Sequence, residues 1–523
     1  MFPAMNSFVM RITEVVPTRF GRRVPCRATT VLAFVAAWAF SMVGCGGGGA
    51  SSVMQPPPPV KFGVPLTTLS TDTFSNSSSQ HKTEVEAGAS AFGSTIVSAF
   101  QVGRIFGGGA SDIGFATSLD SGTTWTSGFL PGLTVFQGGS YTAVSDPAVA
   151  FDAAHGVWMI STLPILAVAQ VAVSRSTDGI SWQNPVIISA TFDSDKNWIA
   201  CDDTATSPFY GHCYVEWDDP SSAGLIWMST STDGGLTWGP ALNTSGFDAG
   251  IGGQPVVQPN GTVVVPAEAW SGASQLAFTS TDGGASWNPA VTISTITDHL
   301  VAGSLRTSPL PSAAVDGSGT VYVAWQDCRF RTSCAANDLV LSTSNDGNIW
   351  TSPARIPIDS LTSTADHFIP GLAVDPATGG GVAHIGLTYY FYPVTNCSAA
   401  TCALDSGFIS SHDGGSTWSS PVTLVGPMSL SSLPNTFAGL MVGDYVSTAF
   451  SGGKAFSIFE AANANVGSLF DEPTYATTTG FTVANNALGT TSIGESPVPD
   501  AHSDHPPRQF YDQEHRYPVP PAK

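Results

Sequence analysis

Short runs in which apolar and polar residues alternate, bounded by glycine, proline, aspartate or serine, recur along most of the chain, and this pattern predicts strands and tight turns rather than long helices. Asp146-Pro-Ala-Val-Ala-Phe-Asp152, Gly156-Val-Trp-Met-Ile-Ser161, Gln170-Val-Ala-Val-Ser174 and Pro185-Val-Ile-Ile-Ser189 read as four consecutive antiparallel strands, innermost first. Comparable sets recur in the later periods. Near the end, 442–450, 454–460 and 473–477 give three further strands without an outer fourth. The segment 62–70 looks like the outer strands 288–293 and 420–425, so it is expected to supply the missing strand and remove an exposed edge.

Composition agrees: Gly 55 and Pro 37, with lysine at few positions, suit an all-β protein rich in turns. Within that pattern one motif repeats. Ser118-x-Asp120-x-Gly122-x-Thr124-Trp125 recurs at Ser231/Asp233/Gly235/Thr237/Trp238, Ser280/Asp282/Gly284/Ser286/Trp287 and Ser411/Asp413/Gly415/Thr417/Trp418. Contracted copies stand at Ser176-Thr-Asp178-Gly179-Ile-Ser-Trp182 and Ser344-Asn-Asp346-Gly347-Asn-Ile-Trp350. Successive first serines lie 58, 55, 49, 64 and 67 residues apart, the span of one four-stranded propeller blade with its loops. The aspartate and serine satisfy backbone N–H groups, glycine supplies positive φ, and tryptophan packs between sheets. These residues are read as scaffold.

The motif is the Asp box, and from about residue 62 to residue 480 the chain resembles the bacterial sialidase (neuraminidase)-like Asp-box repeat proteins. The resemblance implies a β-propeller. With the N-terminal strand closing the set that lacks a box, seven blades are favoured over six, and the domain spans residues 61–495.

In such blades the boxes occupy one face, and the loops between second and third strands share the other face with the links between blades. That second face collects Arg104, Asp112, Asp218, Asp219, Glu268, Trp270, Asp327, Arg329, Arg331, Tyr390, Arg306, Lys196 and Tyr445. Arginines and rings suit a sugar: guanidinium forks hold a carboxylate, and rings stack on a pyranose. Arg104, Arg306, Arg329, Arg331, Trp270 and Tyr390 are therefore the candidate substrate-binding residues. The alternative for Arg329 and Arg331 is local pairing with Asp327 and Asp338.

The segment Gly443-Asp444-Tyr445-Val-Ser-Thr-Ala-Phe450, followed by Phe459-Glu460, is similar to the part of sialidases that carries the tyrosine nucleophile. The resemblance makes Tyr445 the candidate nucleophile and Asp112 the candidate acid, with Glu268 a base by location. Departures accompany it. Where sialidases place the first arginine of a carboxylate-gripping triad, this chain has Lys82-Thr-Glu84-Val-Glu86, and no arginine occurs between Arg355 and Arg508 to serve as the third. Three readings result: a sialidase-like glycoside hydrolase, a hydrolase of neutral glycans drawing on the carboxyls named above, or a non-catalytic envelope scaffold. Whether the chain is an enzyme stays open at this point. A carbohydrate or glycoconjugate is the expected partner of a monomer.

The amino end sets the compartment. Arg19, Arg22, Arg23 and Arg27 precede an apolar run ending at Met42-Val43-Gly44-Cys45, which reads as a signal peptide over 1–44 with Cys45 as a lipidation site. Glycines and Pro56 to Pro59 form a spacer over 45–60. An outer-membrane or cell-surface lipoprotein is expected, with periplasmic or secreted location as the alternative. Membrane contact is expected through the lipid alone. Six cysteines fall in close pairs, Cys201 with Cys213, Cys328 with Cys334 and Cys397 with Cys402, read as local disulfides of an exported protein.

Of 18 basic and 39 acidic residues, five arginines and one glutamate lie in the signal, leaving 13 − 38 = −25, which argues against nucleic acid. No cofactor or metal is expected. Calcium at Asp193, Asp195, Asp202 and Asp203 is the weaker alternative to ordinary surface carboxylates. The proline-rich stretch 496–523 reads as a disordered tail, in which His502, Asp504 and His505 are taken as solvated.

Overall fold

The structure is a computed structural model that describes residues 59–189 and 193–483. The signal, Cys45, nearly all of the spacer and the tail lie outside the described residues. Strands joined by tight turns account for the fold, with only short 3-10 turns between them.

The first boxed set comprises Ser79–Phe92, Thr95–Ile105, Ala110–Ser118 and Thr126–Phe129, and the second Ala143–Asp152, Val157–Ile165, Val171–Ser176 and Val186–Ser189. One pairing, Ala110 with Val144, joins these two into a single sheet. The third set has Asp195–Cys201, Cys213–Asp219 and Leu225–Ser231, its outer edge reduced to a bridge between Met228 and Leu242. In the fourth the inner strand is split into Gly250–Ile251 and Val256–Val257, both paired to Val263–Ala269. The fifth and sixth begin with Ser312–Val315 and Asp366–Val374, and a set without a box follows at Ser447–Ser451, Lys454–Glu460 and Thr474–Thr477. Innermost strands of successive sets adjoin, and Ser447–Ser451 lies against both Asp366–Val374 and Ser79–Phe92, so the all-β propeller closes on itself.

The N-terminal segment closes the ring, though not as one strand. Leu66–Thr68 pairs with Tyr475–Thr477 as the fourth strand of the boxless set. Lys61–Phe62 instead pairs with Val425 and Gly426, adding a fifth strand to the sixth set. Gly63, whose added Cβ would lie 2.1 Å from the Thr423 carbonyl oxygen, marks the close passage between the two.

Each box holds its turn as the residue types predict. In the first, Asp120 accepts from the Thr124 N–H at 2.8 Å and its hydroxyl at 2.7 Å, the Ser118 hydroxyl accepts from the Gly122 N–H, and the Trp125 indole donates to the Gly122 carbonyl. All six box carboxyls sit below the ordinary carboxylate range. Backbone N–H donors dominate for Asp120, Asp178 and Asp346. For Asp233, Asp282 and Asp413 burial pushes upward but hydroxyl and N–H donors outweigh it. Between sheets, Trp287 meets Tyr214 and Phe278 edge-on, with centroids 6.1 and 5.7 Å away. The three disulfides form in the expected pairs: Cys201 is bonded to Cys213, Cys328 to Cys334, and Cys397 to Cys402. Cys213, Cys328, Cys334 and Cys402 are buried, so each crosslink has at least one sulfur packed into the body of the fold.

One backbone feature sets the direction of the side chains along the axis. Four inner strands carry a register shift at the same level, between Val85 and Gly88, Ser145 and Ala148, Asp195 and Trp198, and Phe368 and Gly371. Inside each shift a non-glycine residue is left-handed: Glu86 (φ 62°), Asp146 (φ 49°), Lys196 (φ 46°) and Ile369 (φ 52°). The split in the fourth set holds Gly252 at φ 65°. Each such bulge re-aims a side chain at a local cost of about 1–3 kcal/mol.

Candidate functional site

Three of these bulges converge. Lys196 Nζ lies 2.5 Å from Asp444, 3.1 Å from Asp146 and 3.6 Å from Glu86, joining side chains of the third, boxless, second and first sets. Asp444 also receives Arg306, whose Nε donates to Oδ1 at 2.8 Å and whose Nη2 reaches Oδ2. Gln101 donates to Glu86 and, at 3.3 Å, to the Ser145 hydroxyl, which itself donates to Asp146. The Asn197 amide fixes the Asp146 backbone carbonyl at 2.7 Å. All these side chains are buried.

Electrostatics hold the cluster charged at its centre. Burial drags the Lys196 ammonium down, but Asp146, Asp444 and Glu86 outweigh it and place its pKa well above the ordinary lysine value. Tyr445 sits beside the cluster, its hydroxyl donating to the Pro147 carbonyl at 3.1 Å and its ring edge-on to Trp198 at 5.2 Å. Burial, then Glu86, Asp146, Asp444 and Glu460, push this phenol well above its usual value, so it is neutral.

Glu268, the candidate base, stands two residues before Trp270. It is buried in a strand of the fourth set, opposite Ile251 and Gln275. Asp112 is buried in the first set, where Oδ2 accepts from the Thr134 hydroxyl at 2.6 Å and Oδ1 from the Ile113 N–H. Burial raises its pKa to about 7 against those two donors.

The arginines are engaged by the chain. Arg329 forks onto Asp327 at 2.9 and 2.6 Å, the local pairing that the sequence left as an alternative. Arg331 holds Asp338 and Asp359, and Arg306 holds Asp444. Arg104, fully buried, donates to the Gly109 carbonyl at 2.7 Å and to Gln101 at 3.3 Å. Tyr390 is buried as well, exchanging hydrogen bonds with the Glu460 backbone. Trp270 remains half-exposed, packed over Gly224 so tightly that a Cβ there would meet the indole at 2.1 Å.

Of the four aspartates considered for calcium, Asp195 starts the inner strand of the third set and Asp202 and Asp203 follow its end, roughly 20 Å away at the rise of a strand. Among the described residues one trio, Asp338, Asp359 and His367, has metal-ligand spacing, but Arg331 and Arg355 already neutralise its two carboxylates.

Along the propeller axis the space is uneven. The cavity lined by Lys196, Trp198, Asp444 and Tyr445 measures about 20 Å³, enough for one water and too small for a sugar ring. Toward the box face it gives way to cavities of about 240 and 490 Å³. Glu86 and Asp146 were not foreseen as site residues. Spacing alone does not find them, since Glu86, Asp146, Lys196, Gly252 and Ile369 precede the first serine of their own boxes by 32, 30, 35, 28 and 42 residues.

No family model matches the chain, and no curated protein does. Among solved structures the chain is similar to a Hadza microbial sialidase, with 14% identity and a TM-score of 0.42 over 73% of this chain and 76% of that one. It is similar also to a protein of unknown function from Dyadobacter fermentans, at 16% identity and a TM-score of 0.42 over 68% and 99%. An α-L-arabinanase from Penicillium chrysogenum, complexed with arabinobiose, gives 15% and 0.38 over 64% and 92%.

Proposed function

We propose that the protein is an exported, lipid-anchored, sialidase-like Asp-box propeller that engages a neutral glycan on the face opposite its boxes and does not carry out the sialidase reaction. The observation that carries this reading is the commitment of Arg306, Arg329 and Arg331 to Asp444, Asp327 and Asp338/Asp359. A carboxylate-bearing sugar would have to displace those partners. Rings suited to stacking on a neutral pyranose persist on that face: Phe106 is 52% exposed and Trp270 half-exposed. The phenol of Tyr445 donates to the Pro147 carbonyl rather than to a carboxylate, an arrangement that speaks against its use as a nucleophile. Three disulfides suit the oxidising compartment implied by the N-terminal signal, and Cys45 would carry the lipid.

Asp112, with a carboxyl raised to about 7, favours hydrolysis of a neutral glycoside as a second reading, since such a group is an acid at neutral pH. The test pairs a glycan array with a panel of fluorogenic glycosides that includes a sialoside, using the wild type, Tyr445→Phe, Asp112→Asn and Trp270→Ala. Expected are retention of neutral glycans, its weakening in Trp270→Ala, and no sialoside turnover. Sialoside turnover abolished by Tyr445→Phe overturns the proposal, and neutral-glycoside turnover abolished by Asp112→Asn installs the second reading.

A further inference from the structure

The 490 Å³ cavity lies at the box-face end of the axis, walled in part by Phe151, Val257, Pro259, Val315 and Pro376. It shares Ser90, Val315 and Pro376 with the 240 Å³ cavity above it, which ends at Trp198. Beyond Trp198 lies the 20 Å³ space at Lys196 and Tyr445. The passage is therefore a socket, widest at the box face and narrowing toward the Lys196 cluster. Its volume falls within the roughly 300–1,000 Å³ typical of small-molecule sites.

The charge of this socket is one-sided. Among the described residues neither lysine nor arginine lines it, whereas two carboxylates do. Asp316 is saturated, accepting from the N–H groups of Ser318, Thr320 and Gly380 and from the Tyr322 hydroxyl. Asp203 differs. It is exposed at the rim of the socket, where its Oδ1 accepts from the Ala153 N–H at 2.7 Å and its Oδ2 accepts no hydrogen bond from the described residues. Asp152 and Asp202, close enough to repel its charge, are themselves occupied, by His155 and nearby N–H groups and by Ser207 and the Thr204 N–H. A concave site lined by one sign of charge concentrates the opposite ion, and the acidic balance of the chain adds to that field.

We propose that this socket binds a small organic cation, a primary alkylammonium, with the ammonium on Asp203 Oδ2 and the hydrocarbon stem against Phe151, Val257, Pro259 and Val315. Both halves of the ligand are specified by the walls: the carboxylate selects the charge, and the apolar residues beyond it accept methylenes that water does not solvate well. The site lies on the face opposite the proposed glycan surface and stands or falls independently of it.

The test is calorimetric titration of the whole protein at pH 8 with n-pentylammonium chloride, beside n-pentanol as an uncharged probe of the same length. The ammonium is expected to bind at least tenfold more tightly than the alcohol. Asp203→Asn, which keeps an oxygen for the Ala153 N–H, is expected to weaken the ammonium at least tenfold with an unchanged melting profile. Ser90→Phe, which fills the socket and leaves Asp203 in place, is expected to abolish binding of both probes. Equal binding of ammonium and alcohol, or ammonium binding that is indifferent to Asp203→Asn, overturns the proposal. Ammonium binding that survives Ser90→Phe also overturns it, reducing the interaction to ion pairing at the surface.

Discussion

Replacing Lys196 by methionine tests whether the axial cluster is held by charge. Methionine keeps most of the stem volume but deletes the ammonium that faces Asp444, Asp146 and Glu86 at 2.5, 3.1 and 3.6 Å. Asp444 retains Arg306, so the uncompensated charge falls on Asp146 and Glu86. Breaking a buried pair by removing one member costs about 3–5 kcal/mol. For a body of this size, with an unfolding entropy of about 2 cal/mol/K per residue, that is a fall in Tm of roughly 4–6 °C. The pH dependence is the sharper readout. In the wild type the raised pKa of Lys196 makes its contribution complete at neutral pH, fading only as pH rises through the folded value. In Lys196→Met the stranded carboxyls relieve themselves by taking up protons, so their folded pKa values climb above about 4. Stability is then kept at low pH and lost as pH rises, by up to about 1.4 kcal/mol per pH unit for each such group. Thermal unfolding followed by tryptophan fluorescence at pH 5 and pH 8 should show the larger deficit at pH 8, and Lys196→Met/Asp146→Asn should recover part of it. Lys454→Met, at the exposed start of a strand, should be close to neutral. A deficit below about 1 kcal/mol, or one of equal size at both pH values, refutes the charge argument.

Other consequences attach to single groups. Tyr445→Phe removes one hydrogen bond to a buried carbonyl and should cost about 1 kcal/mol of stability in the same unfolding assay. Because burial raises Asp112 to about 7, its ionisation opposes folding as pH rises from about 4 through that value. Asp112→Asn should therefore gain on the wild type over that interval, measured as the difference in melting temperature. Asp413 in its box is shifted the other way, stabilising above about 4 and losing its contribution as pH falls through its lowered pKa. The deficit of Asp413→Ala should accordingly shrink in acid. Removing the Cys201–Cys213 crosslink, which spans 12 residues, should cost about 3 kcal/mol by loop-closure entropy, read from denaturant midpoints of the paired Cys→Ala variant.

The boxes made the architecture legible because their chemistry is local: one serine, one aspartate and one glycine settle a turn within four residues, and the period between turns settles the sheet. The disulfides were legible for the same reason, since Cys334 and Cys402 find their partners six and five residues back along the chain. The axial cluster was less legible. Lys196, Asp444 and Tyr445 could be placed on the correct face by counting connections, but Glu86 and Asp146 read as ordinary strand residues. Their side chains turn inward only because the backbone is left-handed there, and Glu-Ala, Asp-Pro, Lys-Asn and Ile-Pro at the equivalent bulges share no residue type that would announce it. Face and radius are also different quantities. Counting connections put Arg306, Arg329 and Arg331 on one face, yet Arg329 meets Asp327 two residues away while Arg306 meets Asp444 across 138 residues. The first of these pairings lies within reach of a sequence argument, whereas the second exists only once the ring has closed.

That closure has a temporal side. Leu66–Thr68 is among the first parts of the ring to be synthesised, but its partners Tyr475–Thr477 are among the last, and the hydroxyl contact between Thr67 and Thr478 spans 411 residues. Joining such distant points through an unstructured chain would cost roughly 5 kcal/mol in loop entropy. Six boxed sets of strands formed beforehand would remove that penalty by delivering both ends to the same seam. The two sheet edges that meet at this seam therefore have no partner until the chain is available as far as Thr477, nearly its full length.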